Sequence, residues 1–177
     1  MSQQESAVIV AVPEAEDAVA AWRARLDPAA ERGVPAHITV LYPFLPPDQL
    51  DAEAVQLLAE GIGEVPAFDC ALPRVRWFGS KVVWLDPDPA APFRQLTAGV
   101  WRRFPQCNPY GGAHTELVPH LTIGDNASPS ELADAERSVQ ALLPIHARVT
   151  HARLISRSTE LGSWRTVHEL PLGPPGD

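Results

Sequence analysis

Two copies of a short phrase place a histidine and a threonine two positions apart, and these four residues are the ones best suited to chemistry. The first copy is PAHITV at residues 35–40, and the second, 83 positions later, is VPHLTI at residues 118–123. Polar residues that alternate with aliphatic ones predict a β-strand for each copy, and residues i and i+2 of a strand project from the same face. Each strand therefore presents one imidazole beside one hydroxyl: His37 with Thr39, and His120 with Thr122.

If the two strands lie together, these side chains form a site for acid–base chemistry on a phosphate. Histidine has an ordinary pKa of about 6.5, so one ring can take a proton from water while the other gives one to a leaving oxygen. The hydroxyls of Thr39 and Thr122 can donate hydrogen bonds to the phosphate oxygens. The set predicts acid–base chemistry on a phosphate ester, and it requires neither a metal nor a cofactor. The sequence leaves open which histidine, His37 or His120, is the base.

The elements around the two phrases follow one order twice: strand, helix, motif strand, helix, strand. Hydrophobic periodicity predicts further strands at 7–12, 67–78, 81–85, 145–156 and 164–170, and helices at 14–26, 47–62, 92–104 and 129–142. Ser128 or Ser130 is expected to cap the last helix. We therefore expect an α+β fold in one domain, 1–177, made of duplicated β-α-β-α-β lobes (roughly 6–78 and 80–172) with pseudo-two-fold symmetry. Antiparallel-rich sheets would form a central cleft, with the helices outside.

Composition limits the partners that the protein can bind. The formal net charge is −8, and only 14 lysine and arginine residues are present, without a basic stripe. An extended nucleic-acid footprint is therefore not expected, whereas a small nucleotide or a short RNA end remains compatible. The polar N-terminus and the lack of a long apolar stretch predict a cytoplasmic protein without membrane attachment, which we expect to be a monomer. Cys70 and Cys107 lack metal or redox spacing and are interpreted as reduced structural thiols.

The two halves differ in the approach to the motif. The second copy follows a longer insert at residues 105–116, which contains the Gly-rich run NPYGG and is a candidate lid. Tyr110 and His114 lie in this insert and are candidate substrate-binding residues. Tyr42 and Phe44, just past the first motif, could stack on a base, although packing under a helix suits Phe44 better.

The paired motifs resemble those of the two-histidine (2H) phosphoesterase superfamily, in particular its 2′-5′ RNA ligase-like and cyclic phosphodiesterase branch. The run VPAHITVLYPF at residues 34–44 is similar to the first motif of that branch, and YGG followed by VPHLT at residues 118–122 is similar to the second. The ending, WR at 164–165 before ELPLG at 169–173, is also similar. The resemblance implies a phosphodiesterase that opens 2′,3′-cyclic phosphates of nucleotides or short RNA ends. It also implies catalytic roles for His37 and His120 and phosphate contacts for Thr39 and Thr122.

The same resemblance implies that the strand end at Arg157 borders the cleft and can supply a phosphate contact, although a solvated arginine fits the sequence equally well. Trp84 and Trp164 are interpreted as core residues, since their strands are apolar. One departure concerns the substrate: RNA-processing members often carry a basic residue shortly after the second motif, whereas here Gly124-Asp125-Asn126 follows. Asp125 would repel a substrate phosphate if it faced the cleft.

Other functions compete with the phosphodiesterase. A catalytically silent module could keep the cleft to bind a phosphorylated nucleotide or metabolite. A metal-dependent hydrolase is disfavoured because no carboxylate accompanies the histidines at a typical ligand spacing. RNA ligation of the 2′-5′ type, the reverse of related chemistry, would require two RNA ends to be held, which the acidic composition disfavours.

Overall fold

Eight strands, all paired antiparallel, form a single sheet in the computed structural model, which describes residues 4–113, 117–157 and 163–176. The order across the sheet is β6-β3-β4-β5-β2-β1-β7-β8. The strands are β1 (Glu5–Ala11), β2 (His37–Leu41), β3 (Phe68–Phe78), β4 (Val82–Asp88), β5 (Leu121–Asp125), β6 (Ile145–Val149), β7 (His151–Arg157) and β8 (Trp164–Pro171).

Five α-helices connect the strands, and several begin at polar caps that satisfy exposed N–H groups. The helices are α1 (Glu16–Leu26), α2 (Pro28–Glu31), α3 (Ala52–Gly63), α4 (Ala91–Arg103) and α5 (Pro129–Gln140). The Asp51 side chain accepts a hydrogen bond from the Ala54 N–H at the start of α3, and Ser128 caps α5 as expected. None of the helices in the described ranges combines the length and apolarity needed to span a bilayer.

The middle of the sheet is the junction of the two motif strands, β2 and β5. They are joined by one residue pair, Ile38 opposite Leu121, while each pairs more extensively with its outer neighbour, β1 or β4. The sheet therefore consists of two four-stranded halves related across this junction. This arrangement confirms the expected antiparallel α+β fold with pseudo-two-fold symmetry.

The halves of the sheet do not follow the order of the chain. The β2 half takes β7 and β8 from the end of the chain, and the β5 half takes β3, because β3 and β4 form a hairpin. The boundary expected near residue 79 lies in this hairpin, so each half of the sheet contains strands from both sequence stretches.

One strand prediction is wrong. The stretch predicted as a single strand at 145–156 is two strands, β6 and β7, separated at Thr150. The break follows from a change of phase, because the buried positions shift from odd residues (Ile145, Ala147) to even ones (Ala152, Leu154). As a result β6 pairs with β3 at one edge of the sheet, whereas β7 pairs with β1 on the far side.

Two apolar clusters lie on opposite faces of the sheet. The large core packs strand residues such as Ile38 and Leu121 against helix residues such as Val19 and Leu132. The small cluster consists of Ala7, Ile9, Val34 and Ile155, with Tyr42 and Trp164 packed against it. Cys70 and Cys107 are both buried free thiols.

Candidate active site

The four residues of the two phrases share the centre of the sheet. The Ile38–Leu121 pair fixes the register of this junction, and extending that register by one residue each way places His37 across from Thr122 and Thr39 across from His120, which directly precedes β5. Ile38 and Leu121 are fully buried in the core, whereas the four motif side chains are half-buried on the other face. Diagonal neighbours of this kind lie about 7–8 Å apart, which leaves room for a phosphate between the two imidazoles.

Each imidazole is held by the same local hydrogen bond. Nδ1 of His37 donates to the Pro35 carbonyl at 2.8 Å, and Nδ1 of His120 donates to the Val118 carbonyl at 2.7 Å. A carbonyl can only accept, so the neutral ring carries its proton on Nδ1 and its lone pair on Nε2. The two motifs therefore hold their rings in the same tautomer, with Nε2 as the atom suited to proton transfer.

The environment of His37 keeps its ring neutral. Burial lowers the pKa of His37 to about 4, and the positive charge of Arg23 acts in the same direction. The bond to the Pro35 carbonyl and the charge of Asp27 oppose this effect. Arg23 is itself 2% exposed and donates to Asp27 at 3.0 Å and to the Val34 carbonyl at 3.1 Å. A buried ion pair therefore supports the chain just before β2.

Two aromatic side chains surround His120. The rings of Phe78 and Trp84 stack with centroids 4.5 Å apart, and His120 contacts both edge-on, at 5.1 and 5.9 Å. Trp84 is 4% exposed, as expected for a core residue, and within the described residues its Nε1 has no hydrogen-bond partner. The aromatic pair fixes the His120 ring from one side.

A cleft of about 230 Å³ opens beside His37 and Thr39. Tyr42 and Arg157, both predicted as substrate-binding residues, line it as well. Its floor is the small apolar cluster, and the remaining wall residues include Glu5, Arg32 and Trp164. The structure thus brings His37, Thr39, Tyr42 and Arg157 into one cavity.

The wall of the cleft is a connected polar and aromatic network. The Tyr42 hydroxyl donates to the Glu5 carboxylate, and burial together with this contact raises the pKa of Tyr42. Arg157 lies 3.3 Å from the same carboxylate and 6.0 Å from the centre of the Trp164 ring. Trp164 was expected in the core, but it is half-buried here because β8 is an edge strand, and its ring meets Tyr42 edge-on at 6.3 Å.

The Gly-rich insert contacts the first motif strand. The Tyr110 hydroxyl is hydrogen-bonded to the Thr39 side chain, and its backbone N–H donates to the Tyr42 carbonyl at 2.6 Å. Tyr110 has φ 51° and ψ 30°, a left-handed conformation that is unfavourable for a residue with a Cβ. Tyr110 therefore reaches the site through Thr39, while His114 lies outside the described residues. Phe44 packs on Phe104 at 4.8 Å, as its position under a helix predicted.

Asp125 lies outside the cleft. It lines a separate concavity with Asp27 and Asn126, and the Asn126 amide donates to its carboxylate at 2.8 Å. Burial and the nearby Asp27 raise the pKa of Asp125, whereas the charge of His120 lowers it. The repulsion of a phosphate that the sequence suggested would therefore act from beside the site and not from within the cleft.

Sequence reasoning missed Glu5, Arg32 and the role of Trp164. Glu5 lies directly opposite Arg157 in the pairing of β1 with β7, a long-range register that no local pattern reveals. Arg32 belongs to the loop after α2, and its carbonyl accepts a hydrogen bond from the Trp164 N–H at 2.8 Å. Among the described residues, no three His, Cys, Asp or Glu side chains are grouped so as to hold a metal ion.

Solved structures with the same fold cover nearly the whole chain. LigT of E. coli crystallised with 3′-AMP has a TM-score of 0.60 at 22% identity, over 97% of this chain and 99% of that one. TT0787 of Thermus thermophilus has a TM-score of 0.64 at 17% identity, over 97% and 100%. At these identities the likeness concerns the fold.

The sequence comparison identifies the family. No curated protein matches the chain. The family model of the 2′-5′ RNA ligase superfamily matches residues 11–160, which include both motif strands and most of the chain. The protein is therefore a member of the 2′-5′ RNA ligase superfamily, within the two-histidine phosphoesterases.

Proposed function

We propose that the protein is a metal-independent phosphodiesterase that opens 2′,3′-cyclic phosphates of nucleotides or short RNA ends. The observation that carries the proposal is the paired arrangement at the centre of the sheet. The two motif strands meet at the Ile38–Leu121 pair, their histidines and threonines lie on the face opposite the core, and both rings are held through Nδ1 in the same way. Two equivalent imidazoles on either side of one phosphate suit an in-line displacement, which needs a base on one side and an acid on the other.

The reaction is a single displacement at phosphorus. A water oxygen bonds to phosphorus as the bond from phosphorus to one ribose oxygen breaks. One imidazole takes a proton from the water through Nε2, and the other, protonated, gives a proton to the leaving oxygen. The products are a phosphate monoester and a ribose hydroxyl, and the two histidines exchange protonation states, which solvent restores. The Thr39 and Thr122 hydroxyls donate to the phosphate oxygens, whose charge grows in the transition state.

Similar structures support a nucleotide as the substrate. LigT of E. coli has been crystallised with 3′-AMP and with phosphate. The compound 3′-AMP is a monoester of the kind produced when a 2′,3′-cyclic phosphate is opened. The cleft beside His37 is bordered by Tyr42 and Trp164, aromatic rings of the type on which bases stack.

The proposal is tested by assaying a panel of nucleoside 2′,3′-cyclic phosphates, with chromatography to identify the monoester formed. We expect His37→Gln and His120→Gln each to lower kcat by about 10²–10⁴-fold, the usual contribution of a general acid or base. The matched control is His146→Gln, which changes an exposed histidine of β6 and should leave kcat unaltered. Urea unfolding of each variant shows that the fold is kept.

Three results would contradict the proposal. Turnover that is lost on treatment with a strong chelator and restored by a divalent cation would identify a metal-dependent hydrolase. Nucleotide binding without product from any cyclic phosphate would identify a binding module. Full activity in a variant that carries both His37→Gln and His120→Gln would show that the reaction occurs elsewhere.

A further inference from the structure

The two halves of the duplicated site are filled differently. On the β5 side, Trp84 lies opposite Thr122, and its ring stacks with Phe78 beside His120. On the β2 side, the residue opposite Thr39 is Ile9, and the 230 Å³ cleft opens over it. Large aromatic rings thus occupy one half where smaller aliphatic side chains line an open cleft in the other. The part of a substrate beyond the reacting phosphate therefore has room on the β2 side.

The open cleft has two distinct ends. One end holds His37 and Thr39, and the other holds the pair formed by Glu5 and Arg157. Along β1, Glu5 lies four positions from Ile9, the partner of Thr39, which corresponds to about 13 Å of strand. With a volume of about 230 Å³, the space between the two ends suits one nucleoside.

Two guanidinium groups converge on the far end. Arg32 and Arg157 line the cleft together with Tyr42, and Arg157 lies 3.3 Å from Glu5. The positive charges of Arg157 and Arg32 both lower the pKa of Tyr42, in agreement with this arrangement. The carboxylate at this end, Glu5, accepts from Tyr42 and holds Arg157, which leaves a net charge of +1 for the three ionised groups. Guanidinium groups are well suited to phosphate, because their planar array of N–H donors matches its oxygens.

We infer that the cleft binds a nucleotide that carries a second phosphate, and that Arg32 and Arg157 bind this phosphate while the first lies between the histidines. The inference rests on the proposed function for the identity of the first phosphate. It makes the preferred substrate a cyclic phosphate whose nucleoside is also phosphorylated at its 5′ position, as at the end of a short RNA, in preference to an unsubstituted nucleoside cyclic phosphate.

The test is isothermal titration calorimetry of the intact protein with adenosine 3′-monophosphate and with adenosine 3′,5′-bisphosphate. We expect the bisphosphate to bind at least about tenfold more tightly, since hydrogen bonds to charged groups are worth more than neutral ones. Arg32→Gln and Arg157→Gln should each reduce this advantage, and together they should remove it. Arg32 is exposed, so its substitution tests the inference without disturbing the core.

The matched control is Arg153→Gln. Arg153 lies on β7 like Arg157 and pairs with a cross-strand carboxylate, Glu169, at the same 3.3 Å, but it does not line the cleft. This variant should keep the full advantage of the bisphosphate. Equal affinities in the wild-type protein, no binding of either nucleotide, or an advantage that survives in the double arginine variant would overturn the inference.

Hydrolysis assays separate this inference from the proposed function. If the bisphosphate advantage depends on the arginines but no cyclic phosphate is hydrolysed, the phosphodiesterase proposal fails and the second phosphate site stands. The opposite outcome has two parts: the enzyme hydrolyses adenosine 2′,3′-cyclic phosphate and its 5′-phosphorylated form with the same kcat/KM, and it binds the 3′-monophosphate and the 3′,5′-bisphosphate equally. In that case the phosphodiesterase proposal stands and the second phosphate site fails.

Discussion

Burial of His37 links the stability of the protein to pH. The ring has a pKa of about 4 in the folded protein against 6.5 for an ordinary histidine. Between these values the unfolded chain binds the proton more readily, so the free energy of unfolding falls as the pH falls from 6.5 towards 4. Above pH 6.5 the effect is absent, since His37 is neutral in both states. The full loss is on the order of 3 kcal/mol, at about 1.4 kcal/mol per pKa unit.

Urea unfolding of the wild-type protein and of His37→Gln at several pH values from 7.5 to 4.5 measures this effect. The wild-type protein should lose stability relative to the variant as the pH falls, because glutamine cannot take up the proton. Parallel curves for the two proteins over this range would contradict the assigned burial of the ring.

Tyr110 is a positioning residue that acts through Thr39. Its hydroxyl is bonded to the Thr39 side chain, and its backbone is held in a left-handed conformation. Loss of one hydrogen bond typically costs about 0.5–1.5 kcal/mol, so Tyr110→Phe should lower kcat about 2- to 10-fold with little change in KM. In a Thr39→Val background the same substitution should have no further effect on kcat. A similar decrease in both backgrounds would show that Tyr110 acts independently of Thr39.

Among individual residues, the sequence identifies those that do chemistry better than those that position them. His37 and Thr39 stand out because their motif is repeated, and the i, i+2 spacing is local. Tyr110 was predicted to contact substrate, whereas its hydroxyl is bonded to Thr39. The sequence could not show this bond, because the two residues are about seventy positions apart and no local pattern connects them. Glu5 and Arg157 could not be paired for the same reason.

Among the elements, β5 is packed more tightly against the helices than its sequence suggests. A Cβ on Gly124 would lie 2.7 Å from a terminal methyl of Leu132 and 3.0 Å from the Cβ of Leu26. Gly124→Ala should therefore lower the free energy of unfolding by about 1–3 kcal/mol, as overpacking of a core does. A Cβ on Gly63, at the end of α3, would meet nothing within 4 Å, so Gly63→Ala is the matched control and should not destabilise. Denaturant unfolding of both variants checks this, and equal stability would show that α1 and α5 move apart at little cost.

Element types follow from periodicity, whereas pairing does not. Four of the five helices and most strands lie within about five residues of their predicted bounds, because each depends on local spacing. The short helix α2 was not predicted. The continuous strand predicted at 145–156 failed where two strands are joined directly at Thr150 without a turn signal. The exchange of β3 and β7 between the halves of the sheet depends on long-range pairing, which periodicity cannot determine.

The charge distribution of the whole molecule limits how much nucleic acid it can hold. The net charge is −8, and several arginines elsewhere on the sheet are paired with carboxylates. Arg74 and Arg76 both contact Asp86 at 2.7 Å, and Arg148 contacts Asp69 at 2.9 Å. Carboxylates therefore offset much of the positive charge along these strands, and at the end of the cleft Arg32 and Arg157 leave a net charge of +1 with Glu5.

This distribution predicts a short footprint on RNA. Affinity for single-stranded oligonucleotides that end in a 3′-phosphate should rise from one to two nucleotides and then stay constant, because two phosphates fill the cleft. The logarithm of the association constant should fall with the logarithm of salt concentration with a slope of about −1.4, from about 0.7 per phosphate contacted on a single strand. Fluorescence anisotropy with oligonucleotides of one to eight residues at several salt concentrations measures both quantities. A slope that steepens with oligonucleotide length would reveal an extended track across the sheet, and Arg74→Gln with Arg76→Gln would then locate it.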